Sequence, residues 1–275
     1  MSYKAYHFNV APVQPGSEIL IAHLSALGFD TFESNELGFT AFIDESAEVE
    51  FKAEEYVFDD FTYSFKIETI EQSNWNQEWE KNFEPVYVDH LLCIRAPFHS
   101  PAQGYAQEIV IMPKMSFGTG HHQTTRLMCK AMFAQDFKNK RVLDMGCGTG
   151  ILAILASKLG ATDVTGIDID AWSAENSKEN CKTNGCSEIL ILQGDVTALQ
   201  GEKPFDHILA NINKNILKRD IPLYAKAMNN NGLLYLSGFF VTDQEELKEV
   251  CTRSGLDFLS SDQEETWAMM VLRKK

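Results

Sequence analysis

Residues 141–150 read Arg141-Val142-Leu143-Asp144-Met145-Gly146-Cys147-Gly148-Thr149-Gly150, and an apolar run, Ile151-Leu152-Ala153-Ile154-Leu155-Ala156, follows directly. An apolar β-branched stretch, three closely spaced glycines and a helix-forming run predict strand 141–145, a tight turn and helix 151–159. Glycine permits positive φ and close approach of a ligand to the backbone, and the helix N-terminus offers unpaired N–H donors. The bland alternative is a purely structural turn. The spacing is G-x-G-x-G. A nicotinamide or flavin fingerprint requires a glycine at the sixth place, where Ile151 stands instead.

Downstream, the pattern continues as strand 163–168, helix 171–184, strands 188–193 and 205–210, helix 214–229, strand 232–237, helix 242–253 and strands 256–261 and 266–272. Alternating strands and helices predict an open, mostly parallel α/β sheet covered on both faces. The last two strands have no helix between them and predict an antiparallel hairpin, unlike a simple dinucleotide-binding repeat. Asp168 ends the second strand and is placed to accept both ribose hydroxyls of an adenosine, and Asp195, after the third, could accept from an adenine amino group. Asp170 reads as the N-cap of the next helix. Asn211 ends the fourth strand, in the crevice where such sheets bind ligands, with an amide that both donates and accepts.

Upstream, strand 3–10, a helix over 18–27 capped by Ser17 and closed by Gly28, short strands 30–34 and 38–43, a helix over 47–58 and strand 62–70 predict a β-α-β-β-α-β order. That is the ferredoxin-like α+β unit. Between the units, Trp75, Trp79 and Phe83 repeat every four residues and predict one apolar face of a connecting helix, read as a packing seam. Short strands follow at 86–95 and 107–112. The chain of 275 residues is thus divided into 1–71, a connection over 72–86, and 87–275.

The charge follows the same division. Of 39 acids and 24 bases, residues 1–60 hold twelve acids against two bases, Lys4 and Lys52, whereas residues 91–275 hold 21 acids and 20 bases. A basic nucleic-acid footprint is absent, so direct nucleic-acid binding is not expected. The six cysteines form no C-x-x-C pair and read as reduced, mostly buried thiols of a cytosolic protein. No apolar run reaches bilayer length and no signal peptide opens the chain, so a cytoplasmic protein without membrane contact is expected. The histidines show no metal pattern, and His121 and His122, being adjacent, read first as local capping and packing.

The order of strand, glycine loop, acid and Asn resembles a Rossmann-like class I S-adenosylmethionine-dependent methyltransferase. Ser116-Phe117-Gly118-Thr119-Gly120-His121-His122-Gln123-Thr124-Thr125 makes the resemblance more specific. With Asn74-Trp75, Trp79, Phe83-Glu84-Pro85, Gly166-Ile167-Asp168-Ile169-Asp170, Asn211-Ile212 and Ser237-Gly238, the chain is similar to the PrmA family of ribosomal protein methyltransferases. The resemblance implies an acidic N-terminal ferredoxin-like domain that recognises substrate and a catalytic domain carrying S-adenosyl-L-methionine. It implies methyl transfer to lysine side chains, and to the N-terminal α-amine, of protein eleven of the large ribosomal subunit, by a monomer. By motif, Thr125, Gly146, Gly148, Asp168 and Asn211 would hold the donor. Phe117, Gly118, Thr119, Gly120 and His122 would form the loop covering its methyl group, with Asn211 and His122 at the catalytic centre. Gln123 and Asn213 depart from the family pattern, where Pro and Leu are common.

Three other readings stand beside this one. A class I methyltransferase for another acceptor, such as a small amine, shares every donor motif; a glutamine-modifying enzyme would carry N-P-P-[YF] where N-I-N stands here. An NAD-dependent oxidoreductase is opposed by Ile151. A non-catalytic adaptor for basic proteins would use only the acidic unit.

Overall fold

The computed structural model describes residues 3–44, 47, 49, 51–70, 83–114 and 116–275. The chain divides into two units, residues 1–82 and 83–275. The connecting helix expected over 72–86, with Trp75 and Trp79, lies outside the described residues up to 82; Phe83 is described, and its ring meets Phe98, His99 and His121.

In the first unit, β1 (Tyr3–Ala11), α1 (Val13–Ala26), β2 (Thr31–Asn35), β3 (Gly38–Asp44) and β4 (Thr62–Ile70) form a sheet of order β2-β3-β1-β4, antiparallel throughout. Tyr6, Phe8 and Val10 alternate with exposed His7 and Asn9, so one face of β1 meets Leu20 and Leu24 of α1. Two expectations fail here. Ser17 does not cap α1: the helical segment begins further upstream, with a non-helical interruption at Gln14, and the Ser17 hydroxyl is buried without a partner among the described residues. The helix over 47–58 is absent among the described residues, which hold only a 3-10 turn at Ala53–Glu55. Aromatic packing overrides helix propensity in this stretch. Phe51 packs edge-on to Phe8, Tyr56 stacks on Phe51, and Phe58 stacks on Phe61, a spacing that no single helical face provides. The Tyr63 hydroxyl, on β4, donates to the Tyr56 carbonyl at 2.8 Å and pins the loop.

The second unit opens with a small sheet, β5 (Val86–Val88), β6 (Leu92–Arg95) and β7 (Gln107–Val110), followed by α2 (Gln123–Phe133). The main sheet contains β8 (Arg141–Met145), β9 (Asp163–Asp168), β10 (Leu190–Gln193), β11 (Phe205–Asn211), β12 (Met228–Phe240), β13 (Leu256–Glu264) and β14 (Trp267–Lys274) in the order β10-β9-β8-β11-β12-β14-β13. The first five strands are parallel, and β14 runs antiparallel between β12 and β13. Alternation along the strands feeds two cores. Val142 and Val164 join α2, α3 (Ile151–Lys158) and α4 (Ala171–Thr183) on one face, whereas Leu143 and Ile167 join α5 (Lys214–Lys226) and α6 (Gln244–Arg253) on the other. The strand β8, buried on both faces beyond Arg141, is therefore apolar from there to its end except for Asp144.

Helix 214–229 stops earlier than expected, at Lys226. Met228 already pairs with Phe205 in the sheet, and the Asn229 side chain donates to Asp206 Oδ1 at 2.9 Å. The strand order reverses between β8 and β11, on either side of which the chain crosses to opposite faces. Such a switch point opens a crevice at the carboxyl ends of the strands. No helix among the described residues is long and apolar enough to cross a membrane.

Candidate functional site

A cleft of about 340 Å³ occupies that crevice. The ends of β8 to β11 place Gly146, Gly148, Asp168, Asp195 and Asn211 along it, and Phe117 covers it from the preceding loop. A second cavity of about 270 Å³ adjoins it, walled by His122, Thr124, Asn213, Gly238 and Trp267, and sharing Phe117, Asn211 and Ile212 with the first. The structure thus brings together Phe117, Gly146, Gly148, Asp168, Asp195 and Asn211 in one cleft, with His122 next door. Gly118, Thr119, Gly120 and Thr125 line neither cavity.

Each polar group at the cleft has a local reason for its position. Asp168 accepts from the Gly148 N–H (Oδ2, 2.8 Å) and the Asp170 N–H (Oδ1, 3.0 Å), which locks the glycine loop to the end of β9. A carboxylate has about four acceptor sites, so room for two hydroxyls remains. Asp170 caps α4 by accepting from Trp172 N–H. Asp195 Oδ1 accepts from the N–H and hydroxyl of Thr197, and these bonds hold its carboxyl below the usual carboxylate range. Asn213 Oδ1 accepts from Ile216 N–H at the start of α5, a capping role that leucine could not fill. Gln123 donates to Glu265 Oε2 at 2.7 Å, which gives that departure its own contact.

His122 is the N-cap of α2. Its Nδ1 accepts from the Thr124 N–H at 3.2 Å, so the proton sits on Nε2, and burial together with the charge of Arg126 pushes the imidazole pKa down. The ring lies 4.6 Å from Trp267 and 5.3 Å from Phe117, making an aromatic wall. His121 is engaged elsewhere, near Thr119 Oγ1 and the Glu84 carbonyl. Arg126 joins the Gly120 and His121 carbonyls to Glu264, tying the covering loop to the β13–β14 turn.

The cleft's chemistry suits a cationic adenosyl compound. Asp168, Asp170, Asp195 and Asp220 face it with one cation, Arg219, which is already bidentate to Asp220 (2.6 and 3.0 Å). Ile169 and Val196 supply apolar walls for a flat ring. Among the described residues, Asn211 Oδ1 is buried without a partner, and so is Thr125 Oγ1 in the first turn of α2. Buried polar atoms are normally hydrogen-bonded, so an orphaned acceptor on the wall of a cleft marks a place for a donor from a ligand.

Several contributors gave no motif signal. Trp267 reaches the second cavity from the final hairpin, far from Asn211 in sequence. Asp144 supports the glycine loop from beneath: it is 1% exposed and its Oδ2 accepts from the Ala153 N–H at 3.0 Å. Burial raises its pKa to about 7, with the negative Asp168 adding to the rise. The folded state therefore keeps a proton that the unfolded chain, with an ordinary carboxyl, releases between about pH 4 and pH 7. Stability falls as pH rises across that window and is flat above it. At about 1.4 kcal/mol per unit, the ionised form costs on the order of 4 kcal/mol. Asp144→Asn keeps an acceptor for Ala153 and removes the charge. It is expected to raise Tm strongly at pH 8 and much less at pH 5, where only the first part of that loss has set in, and equal gains at both pH values would contradict a buried charge.

A family model described as ribosomal protein L11 methyltransferase (PrmA) matches residues 28–275. A ribosomal protein L11 methyltransferase from Bacteroides fragilis is 39% identical over 274 residues, with 98% of each chain covered. One from Phocaeicola vulgatus is 40% identical over 275 residues, again covering 98% of each. The crystal structure of a ribosomal protein L11 methylase from Lactobacillus delbrueckii subsp. bulgaricus superimposes with a TM-score of 0.65 at 28% identity, covering 70% of this chain and 100% of that one.

Proposed function

The chain belongs to the ribosomal protein L11 methyltransferase family, and on that premise we propose that it transfers methyl groups from S-adenosylmethionine to lysine amines, and to the α-amine, of ribosomal protein L11. The observation that carries the reading is Asn211, whose unpartnered Oδ1 stands where the two cavities meet. The larger cleft takes the donor and the smaller cavity the acceptor amine. Bound there, S-adenosylmethionine supplies a methyl group activated by its cationic sulfur.

The chain's own residues orient and dehydrate the reactants. Asp168 accepts the ribose hydroxyls, Gly146 and Gly148 allow the backbone to approach, and the acids of the cleft balance the donor's charge. An amine of pKa ~10.4 is neutral in roughly one molecule in 2,500 at pH 7, so the site must favour the neutral form. Burial between Phe117, His122 and Trp267 does so, because the charged form loses its water. Asn211 Oδ1 and the backbone carbonyls of residues 210–212 then accept the amine's N–H groups and leave its lone pair facing the methyl group. His122 contributes as a neutral wall, since its Nδ1 is spent on the helix cap. No side chain need act as a dedicated base.

We assign residues 1–71 to a ferredoxin-like substrate-recognition unit, 72–86 to a connection and 87–275 to catalysis. The split β-α-β pairing of β1 to β4 supports the first assignment, with a loop in place of the second helix. The excess of ten acids over residues 1–60 suits a basic substrate and steers its approach. All six cysteines are free and buried, in keeping with the reducing environment of a cytoplasm. Charge steering predicts that kcat/KM for intact L11 falls about tenfold or more between low ionic strength and physiological salt. A rate indifferent to salt would remove the role given to the acidic unit.

A further inference from the structure

Helix α4 carries Asn176 and Asn180 one turn apart, and Asn184 follows a further turn on at its C-cap. Asn176, Ser177 and Asn180 are at most 1% exposed. A helix face this buried is ordinarily apolar, because each polar group costs free energy unless it is bonded. Here Asn184, Asn180 and Ser177 bond backbone groups at the outer edge of β7 and in the loops beyond the strands. Asn184 donates to the Val110 carbonyl and accepts from its N–H (2.7 and 2.9 Å), and Asn180 Oδ1 accepts from Met112 N–H at 3.0 Å. Ser177 donates to the Gly148 carbonyl at 2.8 Å, and Asn180 Nδ2 to the Thr149 carbonyl at 3.0 Å.

Thr149 passes this order on. Its N–H donates to the Phe117 carbonyl at 2.9 Å and its hydroxyl to the Gly118 carbonyl at 2.6 Å. The approach is close: a Cβ at Gly118 would stand 2.7 Å from Thr149 Oγ1. Asn180, Thr149 and the Phe117–Gly118 peptides thus form one hydrogen-bonded line from the buried face of α4 to the loop that covers the cleft.

We infer that Thr149, held by Asn180, is a positioning residue that latches the 117–120 loop over the donor cleft. It touches no reacting atom. Its hydroxyl sets how far Phe117 stands above the donor, so it governs donor affinity and leaves the transfer step itself to Asn211. The inference rests on the reading of the cleft as the S-adenosylmethionine site.

The test uses the full-length enzyme, with S-adenosylhomocysteine titrated by calorimetry and donor KM and kcat measured alongside Tm. Thr149→Val keeps the shape and leaves the Gly118 carbonyl without its donor. It is expected to raise the S-adenosylhomocysteine Kd and the donor KM about tenfold, equivalent to about 1.4 kcal/mol, with kcat within threefold of wild type. Thr149→Ser should restore both constants. Gly118→Ala, whose Cβ would press on Thr149 and push the two loops apart, should move Kd in the same direction and covers the case in which the valine variant fails to fold. A lowered Tm with wild-type Kd in Thr149→Val, or an unchanged Kd in Gly118→Ala, overturns the latch. Failure of the wild-type enzyme to bind S-adenosylhomocysteine overturns the donor assignment first and the latch with it.

Discussion

Replacing Asn211 by alanine is expected to lower kcat for methyl transfer by about 10²–10³-fold, the usual cost of losing one preorganised polar group aimed at the reacting centre. The fold should not suffer. Asn211 Oδ1 has no partner among the described residues, so alanine removes no internal hydrogen bond with that atom and relieves an unsatisfied buried acceptor. Tm is expected to hold or rise, and that pairing of lost rate with kept stability separates a catalytic role from a structural one. Since the same side chain borders both cavities, donor binding should weaken as well, by less than the fall in kcat. Asn211→Asp keeps an acceptor and adds charge, which favours an ammonium over a neutral amine. It should bind substrate yet transfer slowly, with activity recovering as pH rises. Full activity in Asn211→Ala would remove the amine-orienting step from the mechanism.

The second large effect is expected at Gly148. Its φ is +56°, and a Cβ there would overlap the Phe117 carbonyl oxygen, a backbone atom that cannot rotate away. Its N–H is also the donor that locks the loop to Asp168. Gly148→Ala therefore combines left-handed strain, about 1–2 kcal/mol for a residue with a Cβ, with displacement of the covering loop. Donor affinity should fall about 100-fold, read by titration with S-adenosylhomocysteine, and Tm should drop by several degrees. Wild-type affinity in this variant would mean that the glycine loop and the 117–118 peptides need not touch for the donor to bind.

Much of the catalytic unit was legible because its signals are local. The central strand 141–145 is apolar apart from Arg141 and Asp144 and stops at glycine, and β9 ends on Asp168 where a polar residue can face the crevice. What escaped depends on partners distant in the chain. The stretch 47–58 has helical composition, yet Phe51, Tyr56, Phe58 and Phe61 are claimed by rings of other elements, and burial outweighs propensity. Pairing with β14 carries β12 past Ser237 to Phe240, and pairing with Phe205 of β11 sets its start at Met228, both beyond its apolar run. The asparagines of α4 look like a solvated face, and only the edge of β7 at Val110 and the irregular backbone of Met112 and residues 148–149 explain their burial. The site showed the same division: Gly146, Gly148, Asp168 and Asn211 sit in recognisable motifs, whereas Trp267, Thr149 and Asp144 act through contacts no motif records.

The central claim is transfer of methyl groups to amines of ribosomal protein L11, and mass spectrometry of that purified protein, incubated with enzyme and S-adenosylmethionine, tests it most directly. The account predicts a mass rising in steps of about 14 Da, located on lysine side chains and the α-amine, and accumulating about 10²–10³-fold more slowly when Asn211→Ala replaces the wild-type enzyme. An unshifted mass under conditions where the enzyme binds S-adenosylhomocysteine would contradict it and assign the cleft to a different acceptor.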